Sequence, residues 1–129
     1  MIVKYCKPIK NNKVISSFFE KYDKKIPEGF EEFFINNNGG RPVQNTCFLQ
    51  NGSEKVVNCF LSFNEEDKEN IYKAKAVLEK IDNAILPFAS DPSGNYYCIK
   101  DGFIYFCSHE EAKLYPIANS FISFIETLK

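Results

Sequence analysis

Tryptophan is absent from the 129 residues, and histidine and methionine occur once each. A single histidine, His109, leaves no pair of imidazoles to share a metal ion, and one residue to carry all imidazole acid–base work. The five cysteines (Cys6, Cys47, Cys59, Cys98 and Cys107) are odd in number and show neither a CxxC pair nor a Cys/His spacing typical of zinc. No apolar run approaches the ~18 residues of a membrane-spanning helix, and Met1 to Tyr5 lacks the apolar region of a signal peptide. These absences predict a cytoplasmic chain with reduced, buried thiols, no metal, no cofactor and no membrane partner. Charge of one sign is lacking too. The net charge is −1 and the pI about 5.9, against the pI above ~9 usual for a nucleic-acid-binding domain, so direct nucleic-acid binding is not expected.

What is abundant is aromatic. Thirteen Phe and seven Tyr within an apolar fraction of 44% predict a filled, Phe-heavy core, and the length suits one domain over residues 1–129. The organising stretch is Leu86 to His109. Two strand-like runs, Asn95 to Lys100 and Phe103 to Ser108, flank Asp101-Gly102, and Asp-Gly between aromatic and β-branched runs is a strong signal for a two-residue hairpin turn. That turn pairs Ile99 with Ile104, Cys98 with Tyr105 and Tyr97 with Phe106. Tyr97, Ile99, Ile104 and Phe106 then share one face; Tyr96, Cys98, Phe103, Tyr105 and Cys107 share the other. Both faces are mostly apolar, which places the hairpin mid-sheet with cover on each side.

Around it the chain predicts helices near both ends. Asn11 or Asn12 caps a helix running to about Lys25, with Val14, Ile15, Phe18, Phe19 and Tyr22 on its apolar face. Pro27 breaks it and opens a second helix whose buried stripe is Phe30, Phe33 and Phe34. Asn38-Gly39-Gly40 ends that helix, Pro42 forbidding continuation; a phosphate-cradling role is set aside, because the segment follows a helix and has no Walker lysine pattern. Thr46 to Gln50 and Lys55 to Phe63 read as strands about Asn51-Gly52-Ser53, with Val57, Cys59, Leu61 and Phe63 alternating toward the core. Asn64 is expected to cap a third helix, with Glu65-Glu66-Asp67 complementing its dipole and Ile71, Ala74, Leu78 and Ile81 on its buried face. Ile85 to Ala89 forms a strand and Asp91-Pro92-Ser93-Gly94 a turn. After His109 a loop holds Glu110-Glu111 and Tyr115-Pro116, and a last helix from Asn119 carries Phe121, Ile122, Phe124, Ile125 and Leu128. The fold class is α+β: a central, mostly antiparallel sheet flanked by helices from the N- and C-terminal segments.

Chemistry-bearing constellations are sparse. Cys107-Ser108-His109 invites a thiol hydrolase, since nucleophilic catalysis needs a base within reach, but no oxyanion-hole loop accompanies it. Asp91 in an Asp-Pro turn is first a turn former. The chain is therefore expected not to be an enzyme. Charge is unevenly spread: residues 1–27 hold seven Lys against Glu20 and Asp23, a local +5, and the remainder carries −6. The acidic clusters Glu65, Glu66, Asp67, Glu69 and Glu110, Glu111 are candidate partner-binding residues, for carboxylates can imitate phosphate toward a basic groove.

Three ordered pieces carry a resemblance. Pro87-Phe88-Ala89 followed by Asp91, Gly94 and Asn95 runs into a hairpin, turning at Gly102 and ending in Ser108-His109-Glu110. Upstream stand Ile26-Pro27-Glu28-Gly29-Phe30 and Asn38-Gly39-Gly40-Arg41-Pro42; at the end stands Ser120-Phe121 with Phe124. Together they resemble the SUKH superfamily, with Ser93 where a Gly is common and Cys107 where Trp often precedes Ser-His. The resemblance implies structural roles for Pro27, Phe30, Asn38, Gly39, Gly40, Pro87, Asp91, Gly94, Asn95, Gly102 and His109. It also implies an immunity protein that neutralises a cognate polymorphic toxin by stoichiometric, non-catalytic binding. The alternative from the same relatives is a regulatory scaffold docking an endogenous enzyme, as in cell-wall-synthesis regulators.

Overall fold

The computed structural model describes all 129 residues. In chain order the elements are β1 (Val3–Lys4), α1 (Val14–Lys21), α2 (Phe30–Asn37), β2 (Arg41–Pro42), β3 (Thr46–Phe48), β4 (Glu54–Val56), β5 (Cys59–Phe60), α3 (Ile71–Leu78), β6 (Leu86–Ser90), β7 (Tyr96–Lys100), β8 (Phe103–Ser108), β9 (Lys113–Ala118) and α4 (Phe121–Thr127). Strands β5 to β9 form one antiparallel sheet in sequence order, and β1–β2 and β3–β4 are separate two-stranded ribbons. The α+β expectation holds.

The β7–β8 hairpin takes the register expected from Asp101-Gly102: Ile99 opposes Ile104, Cys98 opposes Tyr105 and Tyr97 opposes Phe106. Both turn residues have positive φ, 52° and 83°, the mirror-image turn whose twist matches that of the strands. One sheet face belongs to a 23-residue core uniting Tyr97, Ile99, Ile104 and Phe106 with Phe18 and Phe19 of α1, Phe30 and Phe34 of α2, and Phe121 and Phe124 of α4. At its centre Phe30 and Phe34 stack on each other, Phe63 meets both edge-to-face, and Phe121 lies tilted against them. On the other face Cys98 and Cys107 pack with Leu78 and Ile85, but Phe103 stays 46% exposed, so cover is incomplete toward the hairpin tip.

Local chemistry moved several boundaries. Helix α1 starts after Lys13, with Asn11 accepting from Lys13 N as a preceding turn rather than a cap. It stops at Lys21, four residues before the expected end, because Asp23 takes a left-handed conformation (φ 53°). Lys24 N then bonds Phe19 O and Asp23 N bonds Glu20 O, a Schellman ending with Asp where Gly is usual. The run Lys55 to Phe63 is not one strand. It leaves the β3–β4 ribbon at Val57 and joins the main sheet at Cys59, so Phe60 enters the large core and Cys59, expected to face it, faces away. The third helix begins at Ile71, not after Asn64, with Asn70 accepting from Lys73 N as its cap. Residues 113–118, expected as loop, form the edge strand β9; Pro116 is tolerated there because an edge residue need not donate on its outer side. Main-chain bonds Thr46 N to Lys129 O and Lys129 N to Thr46 O fasten the chain's end to β3.

Candidate functional site

The motif residues resolve into two hydrogen-bonded hubs. In the first, Asp91 Oδ1 accepts from Ser93 N (2.9 Å) and Asn95 N (2.7 Å), closing the turn that contains Gly94, and Asp91 Oδ2 accepts from Asn95 Nδ2 (3.2 Å). Asn95 Oδ1 in turn accepts from His109 N (3.1 Å) and lies 2.9 Å from His109 Nδ1. An amide oxygen can only accept, so Nδ1 carries the proton in that contact. Asp91, Asn95 and His109 thus fasten the start of β7 to the end of β8.

Asn38 is the second hub. Fully buried at the end of α2, it donates through Nδ2 to Lys7 O (2.9 Å) and Ser62 Oγ (3.0 Å) and accepts at Oδ1 from Phe63 N (2.8 Å). Ser62 Oγ donates to Asp67 Oδ2 (2.6 Å), and Asn64 bridges Asp67 to Lys10 N and Pro8 O. Asn38 and Gly39 occupy the central positions of a type II turn closed by Gly40 N to Asn37 O. Gly40 is required for another reason: a Cβ there would stand 2.5 Å from Val3 Cγ1 and 2.7 Å from Cys6 Sγ, where β1 crosses. Phe30 and Pro87 are buried packing residues. Pro27 lies at the connector between α1 and α2, its carbonyl accepting from Phe30 N.

The acidic residues divide. Asp67 turns inward to Ser62 and Asn64. Glu66 pairs with Lys10, which lowers the glutamate's pKa and raises the lysine's. Glu69 accepts from the Cys59 thiol (3.1 Å) and lies 3.9 Å from Arg41 Nη2. Glu111 accepts from the Tyr115 hydroxyl (2.8 Å). Glu65, Glu66, Glu69, Glu110 and Glu111 are all exposed, but Lys10, Arg41, Lys68 and Lys73 stand in or beside the first cluster.

Cys107 and His109 are not assembled as a nucleophile and its base, although a hydrogen bond from Cys98 lowers the Cys107 thiol's pKa. Cys107 is buried against Cys98, whose thiol burial pushes well above its ordinary range, and the imidazole of His109 engages Asn95 instead. Burial raises Cys59 to about 11, so it remains a thiol donor to Glu69. The His, Cys, Asp and Glu side chains form no cluster of three suited to a metal ion, and no helix is long and apolar enough to cross a membrane. What the surface does offer is a cleft of about 530 Å³ between the α1–α2 connector and the near ends of β6 and β7. Phe19, Ile26, Leu86 and Ile99 line it, with Asp23, Lys24, Lys25, Glu28 and Asp101 among its charged residues.

Sequence reasoning missed Lys75. It is 1% exposed, with Nζ donating to Asn83 O (2.7 Å) and Ile85 O (2.9 Å) and lying 4.7 Å from the centre of the Tyr22 ring. A lysine four residues after Ile71 continues the helix's buried face, but residue type argued for solvent.

Comparison with known proteins agrees with the fold. A crystal structure described only as a protein from Pseudomonas syringae pv. tomato superposes with a TM-score of 0.50 at 14% identity, over 81% of this chain and 76% of that one. At that identity the likeness speaks for the fold alone. No curated protein is significantly similar in sequence. The family model described as SMI1 / KNR4 family (SUKH-1) matches residues 11–127, and so takes in Asn38, Asp91, Asn95 and His109, the hairpin and the last helix. This chain belongs to the SMI1/KNR4 (SUKH-1) family.

Proposed function

We propose that this chain is an immunity protein of the cytoplasm, which binds one cognate toxin of a polymorphic toxin system and blocks it stoichiometrically without performing a reaction. The observation that carries the reading is the family match over residues 11–127. The site geometry agrees with it: the motif residues are spent on joining elements, the cysteine–histidine pair is not assembled, and exposed surface is what remains to act.

The toxin class best suited is a nuclease, whose basic groove an acidic surface can fill in place of nucleic acid. Glu65, Glu66, Glu110 and Glu111 keep their carboxylates at the surface and are candidates for that contact. Asp67 and Glu69, each with an internal partner, contribute to it less. The experiment is co-expression with the toxin encoded beside this chain's gene. Cells survive, and the two proteins co-purify in equal amounts. A toxin that kills equally well in the presence of this protein refutes the immunity reading, and an endogenous enzyme recovered in its place supports the scaffold role.

A further inference from the structure

Two asparagines are followed by glycine, in Asn38-Gly39 and Asn51-Gly52. Such a pair can close on itself, because a following residue without a side chain lets its main-chain nitrogen approach the asparagine's amide carbon. The fold treats the two pairs oppositely. Asn38 is 1% exposed and its amide is held at both ends: Nδ2 donates to Lys7 O and Ser62 Oγ, and Oδ1 accepts from Phe63 N. The Lys7 side chain covers Gly39. Neither water nor the Gly39 nitrogen reaches that amide carbon without breaking the hub.

Asn51 and Gly52 stand at the exposed tip of the β3–β4 hairpin. Gly52 N donates to Leu49 O (2.9 Å), Leu49 N donates to Ser53 O (2.9 Å), and Gly52 has φ 91°, a short hairpin loop with glycine at its left-handed position. Asn51 is held through Oδ1 alone, by Ser53 N (2.9 Å), and its Nδ2 has no partner. A Cβ at Gly52 would meet nothing within 4 Å, so the space around the pair is open. Reaction here needs only the release of Gly52 N and Ser53 N, a local opening of the kind loop tips undergo without global unfolding.

We propose that Asn51 is a site of spontaneous deamidation in the folded protein and that the fold protects Asn38 from the same reaction. Gly52 N gives up its proton and bonds to Asn51 Cγ; the Cγ–Nδ2 bond breaks, and Nδ2 leaves with a proton as ammonia. The cyclic imide then adds one water, with nothing oxidised or reduced. Cleavage between Cγ and the nitrogen restores the main chain and leaves an aspartate in place of Asn51. Cleavage between the main-chain carbon and the nitrogen instead routes the chain through Cβ and Cγ, as isoaspartate. Either product adds one negative charge at the hairpin tip. Isoaspartate also inserts a methylene into the main chain, which displaces Gln50 and weakens its N–H bond to Pro116 O (3.0 Å), where the ribbon is fastened to β9.

The experiment incubates the intact protein at mildly alkaline pH, where the Gly52 proton leaves more readily, both folded and unfolded in urea. Digestion and mass spectrometry follow the replacement of NH2 by OH in each Asn-Gly peptide. In the folded protein Asn51 converts about tenfold or more faster than Asn38, whose three buried hydrogen bonds must first be released. In urea the two rates converge, which assigns the difference to the fold. Asn51→Gln, whose longer side chain closes the corresponding ring far more slowly, abolishes conversion at 51 and leaves thermal melting in place. The isoaspartyl product, separated from unmodified protein by chromatography, exchanges the Gln50 amide faster while the β7–β8 amides keep their protection. Equal rates at the two sites in the folded protein, or a difference that persists unchanged in urea, overturn the proposal. Unchanged exchange at Gln50 overturns the consequence for the ribbon.

Discussion

A buried lysine between two carbonyls is the residue whose chemistry most directly becomes a measurement. Lys75 ties α3 to the connector before β6 through Asn83 O and Ile85 O, and burial lowers its pKa from the ordinary 10.5. Lys75→Met keeps most of the stem, removes both donors and the contact with the Tyr22 ring, and leaves a buried acceptor at Ile85. It is expected to cost about 1–3 kcal/mol, read from urea unfolding at neutral pH. The pH dependence has a definite sign. Between the lowered folded value and 10.5 the unfolded chain binds the proton more tightly, so Lys75 makes stability rise with pH across that window; below it the burial penalty on the charged form is full. Tyr97, which burial raises, pulls the opposite way at the alkaline end. The lysine's share is therefore read as the difference between wild type and Lys75→Met, and an unchanged difference across the window refutes it. Other single residues were legible beforehand for a clear reason. Asp101-Gly102 fixed a register because few residues accept positive φ twice running, whereas nothing in residue type marked Lys75 as interior.

Among the elements, α3 shows why starts and stops resist reading from sequence. Asn64 followed by Glu65, Glu66 and Asp67 has the composition of a helix start, and Asn70 has only its own side chain to recommend it. The difference is tertiary. Asn64 is claimed by Pro8, Lys10 and Asp67, and Asp67 by Ser62, so the polar run is drawn inward as a loop, and helix begins only where Asn70 can cap Lys73 N. The two asparagines should therefore respond differently to removal. Asn70→Ala loses a cap, and also its donations to Glu65 O and Asp67 O, at about 1–2 kcal/mol. Asn64→Ala strips partners from Pro8 O, Lys10 N and Asp67 at once and should cost about 2–3 kcal/mol, with faster amide exchange in residues 7–13. If Asn64→Ala is the milder change, the inward-drawn loop is wrong. The same limit explains β9. Its Pro116 argued for a loop, and only the neighbouring β8, which supplies bonds on one side, makes an edge strand there acceptable.

Across the whole molecule, both ends of the chain close on one core and depend on it unequally. Val3–Lys4 pairs with two residues, and Met1, Ile2 and Tyr5 are exposed, whereas α4 and the residue that follows it supply Phe121, Phe124 and Leu128 to the core and Lys129 clamps Thr46. Overall folding is worth only ~5–15 kcal/mol in a domain of this kind. Losing three such side chains forfeits on the order of 10 kcal/mol by core-substitution energetics, comparable to the total. The fold's antiparallel core was legible in the sequence because period-two patterning and turn residues are local; the surface charge was not. The lysine-rich first segment and the acidic run at Glu65 to Glu69 look like opposite poles in the sequence, yet Lys10–Glu66 joins them, and Arg41 is drawn to Glu69 as well. Truncation separates the two roles of the C-terminal helix. A chain ending at Ala118 should lose its cooperative thermal transition, whereas one beginning at Cys6 should melt cooperatively within a few degrees of the intact protein, since β1 adds little buried apolar area. A cooperative transition surviving in the chain that ends at Ala118 would show that α4 docks onto an already stable sheet rather than forming one wall of the core.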